Sequence, residues 1–135
     1  MKRNATARWS GSGKEGNGLL STQTGVMKDT PYNFVSRFGE GTHTNPEELL
    51  AAAHAGCFSM KLAFVIGEAG QTPEWIETKC TITLDNGAIT ASHLEVQVKT
   101  ALSEEAFAAC IENAKTNCPV SKLFNTTITA HATLA

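Results

Sequence analysis

Polar and apolar positions change rhythm several times along this chain. Asn4–Trp9 is short and mixed, Gly18–Thr24 sets Leu20, Thr22 and Thr24 on one face, and Pro31–Phe38 carries Tyr32, Phe34, Val35 and Phe38. All three read as strands, and the glycines at 11, 13, 16 and 18 predict a hairpin between the first two. The pattern then becomes helical. From Leu49 to Ile66 nearly every residue is apolar or small, with only His54, Ser59 and Lys61 as interruptions. Asn45 suits an N-cap, Pro46 the first helical position and Glu48 the third, close to a capping box with Asn in place of Ser or Thr. A helix apolar all round is buried or in a membrane. The uninterrupted run falls short of the roughly 20 residues that a span needs, so the pattern predicts a long buried central helix ending near Gly67 or Gly70.

Alternation then returns. Trp75, Glu77, Lys79, Thr81 and Thr83 alternate with Ile76, Thr78, Cys80, Ile82 and Leu84, as in a half-buried strand. Asp85-Asn86-Gly87 is a turn signal. Ile89–Leu102 alternates again through Leu94, Val96 and Val98. Ser103 caps a predicted helix over Glu104–Lys115, Pro119 opens a short helical piece, and Thr126–Leu134 closes the chain as a strand. The order of strands, long helix, strands, helix and strand predicts an α+β fold with largely antiparallel sheets.

The 135 residues fit one domain, 1–135, and 41% hydrophobic content can fill its core. A net charge of -2 with no basic run gives no footprint for nucleic acid. The early charges of Lys2, Arg3 and Arg8 are not followed by an apolar stretch, so no signal peptide or membrane attachment is expected and the cytoplasm is the expected location. Thiols there stay reduced. Cys57, Cys80, Cys110 and Cys118 are then core thiols, ligands or redox centres. They form no Cys-x-x-Cys pair, and His43, His93 and His131 lack ligand spacing, so neither a metal nor another cofactor is expected.

Two cysteines have settings that suggest chemistry. Cys118 precedes Pro119 and falls at a helix N-cap, where backbone N–H groups and the helix dipole favour a thiolate. Cys57 lies in the apolar helix, where burial raises a thiol's pKa unless a cation is near. Arg37, flanked by apolar residues, is the best candidate for that cation, since arginine stays charged when buried. Glu48 is occupied by the cap, which leaves Glu47 to orient Arg37. Cys57 follows Glu47 by ten positions, about 15 Å of helix. Both can serve one site if two copies of the helix run antiparallel across a two-fold axis, so a symmetric dimer with shared sites is expected. His54, one turn before Cys57, reads as a structural or site-lining residue.

Tyr32-Asn33-Phe34-Val35-Ser36-Arg37-Phe38, Thr44-Asn45-Pro46-Glu47-Glu48-Leu49, Ala52-Ala53-His54-Ala55-Gly56-Cys57-Phe58-Ser59-Met60 and Asn117-Cys118-Pro119-Val120-Ser121 closely resemble the OsmC (osmotically inducible protein C) family, in order and over nearly the whole chain. The position of Arg37 resembles the OsmC branch rather than the organic hydroperoxide resistance branch, whose arginine comes much earlier. The resemblance implies an intertwined α+β homodimer with active sites at the subunit interface. It also implies a thiol peroxidase that reduces organic hydroperoxides, and hydrogen peroxide less well. By position, Cys57 is similar to the attacking cysteine, Cys118 to the resolving one, Arg37 to the thiolate-stabilising arginine and Glu47 to its carboxylate partner. The reductant implied is a dithiol, often a dihydrolipoyl protein. Leu50, Phe58, Phe38 and Met60 are expected to form an apolar wall for an alkyl hydroperoxide.

Helix-terminus arguments alone favour Cys118 as the attacking thiol, whereas the resemblance assigns attack to Cys57. Two other functions compete. One is a cysteine acyl-transfer enzyme using Cys57 and His54. The other is a non-enzymatic binding or stress protein with the same fold.

Overall fold

Residues 1–135 are described by a computed structural model. Two units emerge, Met1–Leu49 and Leu50–Ala135, each built from its own sheet.

In the first unit, β1 (Ala5–Ser10), β2 (Asn17–Thr22) and β3 (Thr30–Asn33) form an antiparallel sheet in chain order. The expected β1–β2 hairpin is present. Its loop is tied by the indole of Trp9, which donates to the carbonyls of Gly11 and Ser12. Trp9 also packs on Tyr32, ring centroids 5.4 Å apart.

The predicted strand over Pro31–Phe38 is only half a strand. The chain leaves β3 at Asn33 and turns into α1 (Phe34–Phe38). The cause is a capping box: Asn33 Oδ1 accepts from the Ser36 N–H, and Ser36 Oγ accepts from the Asn33 N–H, both at 2.9 Å. Two local bonds of this kind outweigh the strand preference of the aromatic residues that follow. The loop after α1 folds back closely enough that a Cβ at Gly41 would strike the backbone of Ser36. Asn45 then ties the loop down, its side-chain amide donating to the Ser36 carbonyl at 2.9 Å.

Asn45 also caps α2 (Pro46–Glu68), its Oδ1 accepting from the Glu48 N–H at 2.7 Å. The capping box is incomplete, because the Glu48 carboxylate accepts from Thr44 Oγ1 instead of the Asn45 backbone. At 23 residues, α2 is longer than its uninterrupted apolar run, and it is long and apolar enough to cross a membrane.

In the second unit, β4 (Trp75–Asp85), β5 (Ala88–Lys99) and β6 (Thr127–Leu134) form a sheet in chain order. Asn86 and Gly87 both take left-handed backbone angles in the β4–β5 turn, as the Asp-Asn-Gly signal predicts. β6 runs parallel to β5, while the other three pairings are antiparallel, so the sheets are largely antiparallel as expected, with one parallel exception. The physical reason is the crossover: α3 (Glu104–Asn117), capped by Ser103, and α4 (Pro119–Leu123) carry the chain back before it re-enters the sheet.

Alternation places Leu94, Val96 and Val98 of β5 in the core with Phe58, Leu62 and Ile66 of α2 and Phe107, Ile111 and Ala114 of α3. Each fully buried Leu, Ile or Phe contributes about 1.5–3 kcal/mol. The central helix is not buried all round within the chain. Its buried face is His54, Phe58, Leu62, Val65 and Ile66, while Met60 and Phe64 remain two-thirds exposed.

Candidate functional site

The four residues singled out from sequence meet as two pairs, Arg37 with Glu47 and Cys57 with Cys118. Arg37 lies in the last turn of α1, not on a strand, and Glu47 in the first turn of α2. Arg37 Nη2 donates to Glu47 Oε1 at 2.8 Å, and Nε donates to Oε1 and Oε2 at 3.1 and 3.2 Å. This hydrogen-bonded carboxylate drives the guanidinium's already high pKa higher still. The Arg37 side chain is 40% exposed and that of Glu47 12%, so the pair adds at most about 1 kcal/mol to stability. Its main effect is orientation: the fork fixes the direction in which a permanent positive charge points. The guanidinium also lies 5.2 Å from the Phe38 ring centroid and faces a hollow of about 260 Å³ lined by Trp9, Tyr32, Phe34 and Phe38.

Cys118 closes α3 and opens α4. Its thiol makes no capping bond to α4 but points to Cys57, the two sulfurs 3.1 Å apart and unlinked. Cys57, expected to be buried, is only half-buried, while Cys118 is fully buried. Pro119 has no N–H, so the first free donor of α4 is that of Val120, and this backbone group favours the Cys57 thiolate. Burial pushes the Cys57 thiol up from its ordinary value and the adjoining Cys118 thiol adds to this, while the Val120 N–H draws it back. Helix-terminus stabilisation, expected at Cys118, therefore reaches Cys57. Beside Cys57 lies an apolar hollow of about 220 Å³ lined by Met60, Lys61, Phe64 and Pro119.

Only Met60 of the expected apolar wall lines that hollow. Phe58 is sealed in the core, Leu50 borders a separate hollow with Leu123 and Phe124, and Phe38 belongs to the hollow at Arg37.

His54 is fully buried, its Nδ1 2.7 Å from Ser92 Oγ and its Nε2 2.8 Å from Ser121 Oγ. Phe124 packs edge-on against the ring at 5.1 Å, and the Cys80 thiol touches Ser92 Oγ at 3.3 Å. Burial lowers the imidazole's pKa, which favours the neutral ring. With both nitrogens engaged by serines, His54 is not positioned as a base for Cys57, and the acyl-transfer arrangement is not formed. Ser92, Ser121 and the Val120 N–H were not signalled as partners by the sequence. The available sign was a serine at Ser92, an inward position of an otherwise apolar strand face. No three His, Cys, Asp or Glu side chains gather as a metal-ligand set.

Comparison with known proteins places this geometry in a family. The family profile described as OsmC-like protein matches residues 39–132. Peroxiredoxin OsmC of Escherichia coli is 42% identical over 134 residues, 96% of this chain and 94% of that protein. Organic hydroperoxide resistance protein-like 2 of Staphylococcus epidermidis is 30% identical over 87 residues, 61% of each chain. Among solved structures, the organic hydroperoxide resistance protein OhrB of Bacillus subtilis superposes with a TM-score of 0.73 at 26% identity, covering 100% of this chain and 98% of that one. An OsmC-like protein of Mycoplasma pneumoniae shares the mixed α+β fold with a TM-score of 0.78 at 12% identity, covering 100% of this chain and 98% of that one. With two thiols in contact, a fork-bound arginine and these similarities over most of its length, the chain belongs to the OsmC-like family.

Proposed function

We propose that this protein is a thiol-dependent peroxidase for organic hydroperoxides, with Cys57 as the attacking thiol and Cys118 as the resolving thiol. The observation that carries the reading is the contact of two unlinked thiols, 3.1 Å apart, at the mouth of an apolar hollow. A disulfide can form there with little movement. Cys57 is the more accessible of the two and borders the hollow, which favours it as the attacker.

Arg37, oriented by Glu47, favours the Cys57 thiolate and stabilises charge on the leaving oxygen. The thiolate attacks the distal oxygen of the hydroperoxide. The O–O bond breaks, an alcohol leaves after taking a proton, and Cys57 becomes a sulfenic acid. The Cys118 thiol displaces water from that sulfur to form the disulfide. An external dithiol, such as a dihydrolipoyl group, restores both thiols by exchange. Hydrogen peroxide follows the same course with water as the leaving group.

The active form in this reading is a homodimer with sites shared at the interface. Glu47 and Cys57 stand on one helix about 15 Å apart along its axis. Antiparallel pairing of two α2 helices brings Glu47 and Arg37 of one copy to Cys57 of the other. Ala53, Gly56, Met60, Phe64 and Gly67 form an exposed, uncharged stripe at helical spacing, and its small residues suit close helix approach.

The test is to expose reduced protein to stoichiometric cumene hydroperoxide, titrate thiols and map disulfides by mass spectrometry. Loss of two thiols with a Cys57–Cys118 bond is expected. Four untouched thiols end the proposal.

A further inference from the structure

His54 and Ser121 form a second bridge between the two helices that carry the thiols. On α2, His54 precedes Cys57 by three positions; around α4, Ser121 follows Cys118 by three. The bonded pairs are therefore two rungs of one ladder, with the segments running in opposite directions: His54 Nε2 to Ser121 Oγ at 2.8 Å and Cys118 Sγ to Cys57 Sγ at 3.1 Å.

The polar rung is built to stay in place. Its imidazole is fully buried and gripped from the other side by Ser92 of β5 at 2.7 Å, with Phe124 packed edge-on. A buried polar ring costs stability unless its nitrogens are bonded, and here both are. By contrast, α4 has five residues and no side-chain cap. A helix that short does not hold its own shape or position, so tertiary ties set where it lies.

We propose that His54 is a positioning residue for disulfide formation: by holding Ser121, it keeps α4 in register and the Cys118 sulfur within bonding reach of Cys57. The inference rests on Cys57 and Cys118 being the redox pair of the proposed function. In the step it serves, the Cys57 sulfenic acid and the Cys118 thiol form an S–S bond and release water. The same rung governs the equilibrium in which the two thiols reduce a disulfide reagent and become a disulfide themselves.

The test is a redox titration of the purified protein against mixtures of oxidised and reduced dithiothreitol, which needs no peroxide and no turnover. The readout is the equilibrium constant for the Cys57–Cys118 disulfide. Ser121→Ala removes the rung while leaving the imidazole, and His54→Leu removes both rungs to the serines. Each is expected to lower the constant roughly tenfold or more, the scale of one lost buried hydrogen bond. His54→Gln, whose amide can both donate and accept, is expected to recover part of the loss. A residue that supports the core alone destabilises thiol and disulfide forms equally, so a lowered melting temperature with constants within twofold of wild type overturns the proposal. If His54→Leu does not fold, Ser121→Ala decides. Absence of the wild-type disulfide at every ratio refutes the positioning role and the redox pair together. A wild-type disulfide that forms with dithiothreitol but not with hydroperoxide refutes the peroxidase reading alone.

Discussion

The Cys118 and Cys57 sulfurs lie in hydrogen-bonding contact at 3.1 Å, across 61 positions of sequence. The contact has two opposite consequences for a peroxidase. It shortens the path to the disulfide, and it raises the pKa of the thiol that must attack. Cys118→Ser separates them. Loss of the second thiol removes one of the influences that raise Cys57, so the alkylation-rate midpoint of Cys57 is expected at lower pH than in wild type. The variant is also expected to retain a sulfenic acid trappable by dimedone after one equivalent of hydroperoxide, whereas wild type passes to the disulfide. An unchanged midpoint, measured with iodoacetamide, contradicts the coupling.

Arg37 is tied to Glu47 by three hydrogen-bond contacts. Because the pair is partly exposed, its loss is expected to cost at most about 1 kcal/mol of stability. Its expected catalytic effect is larger, since one positioned charge in a transition state is typically worth about 2.7–4 kcal/mol. Arg37→Ala should slow the first oxidation of Cys57 by an order of magnitude or more, read by stopped flow with cumene hydroperoxide, and leave the fold intact by circular dichroism. Glu47→Gln keeps the charge and loosens its aim, so a smaller decrease is expected. Wild-type rates in Arg37→Ala remove Arg37 from the mechanism.

The elements legible in the sequence are those whose determinants are local. Ser103, the Asn86-Gly87 turn and the period-two alternation of β4 and β5 each act within a few residues, and each element formed where expected. The break at Asn33 was also local, but its Asn-x-x-Ser box lies inside an aromatic run that resembles a strand. The parallel pairing of β6 was not legible, because alternation reveals a buried face and says nothing of the neighbour's direction. In the candidate site, residue types suggested Arg37 with Glu47, whereas the pairing of Cys57 with Cys118 came from the family resemblance. The partners of His54 could not be read, since Ser92 and Ser121 lie 38 and 67 positions away and serines are commonplace.

The exposed stripe on α2 leads to a prediction about assembly. A Cβ at Gly56 meets no atom within 4 Å in the protomer. Gly56→Leu should therefore leave the protomer folded, with a gain of up to about 1 kcal/mol in helix propensity. If two α2 helices pack closely across a two-fold axis, the same side chain forces them apart. Light scattering is expected to show a dimer for wild type and a shift to monomer for Gly56→Leu. Leu62→Ala, in the sealed core, is expected to cost about 2–5 kcal/mol of protomer stability instead. A Gly56→Leu protein that stays dimeric places the interface elsewhere.

The neutral, buried state of His54 makes stability depend on pH in a definite direction. Its pKa in the fold is lowered from the ordinary value near 6.5 by burial. Above that value the imidazole is neutral in both the folded and unfolded chains, and it contributes no slope. As pH falls below it, the unfolded chain takes up the proton and the folded chain resists, so the unfolded state binds more protons and stability falls. The loss levels off once pH passes below the folded pKa. Within that window His54 alone removes at most about 1.4 kcal/mol per pH unit. Urea unfolding of wild type and His54→Leu at several pH values between about 7.5 and 5 isolates this contribution, because the other histidines and the carboxylates are common to both proteins. The variant is expected to be less stable at pH 7.5 and to lose less stability on acidification. Parallel curves for the two proteins would show that His54 is not held neutral by the fold.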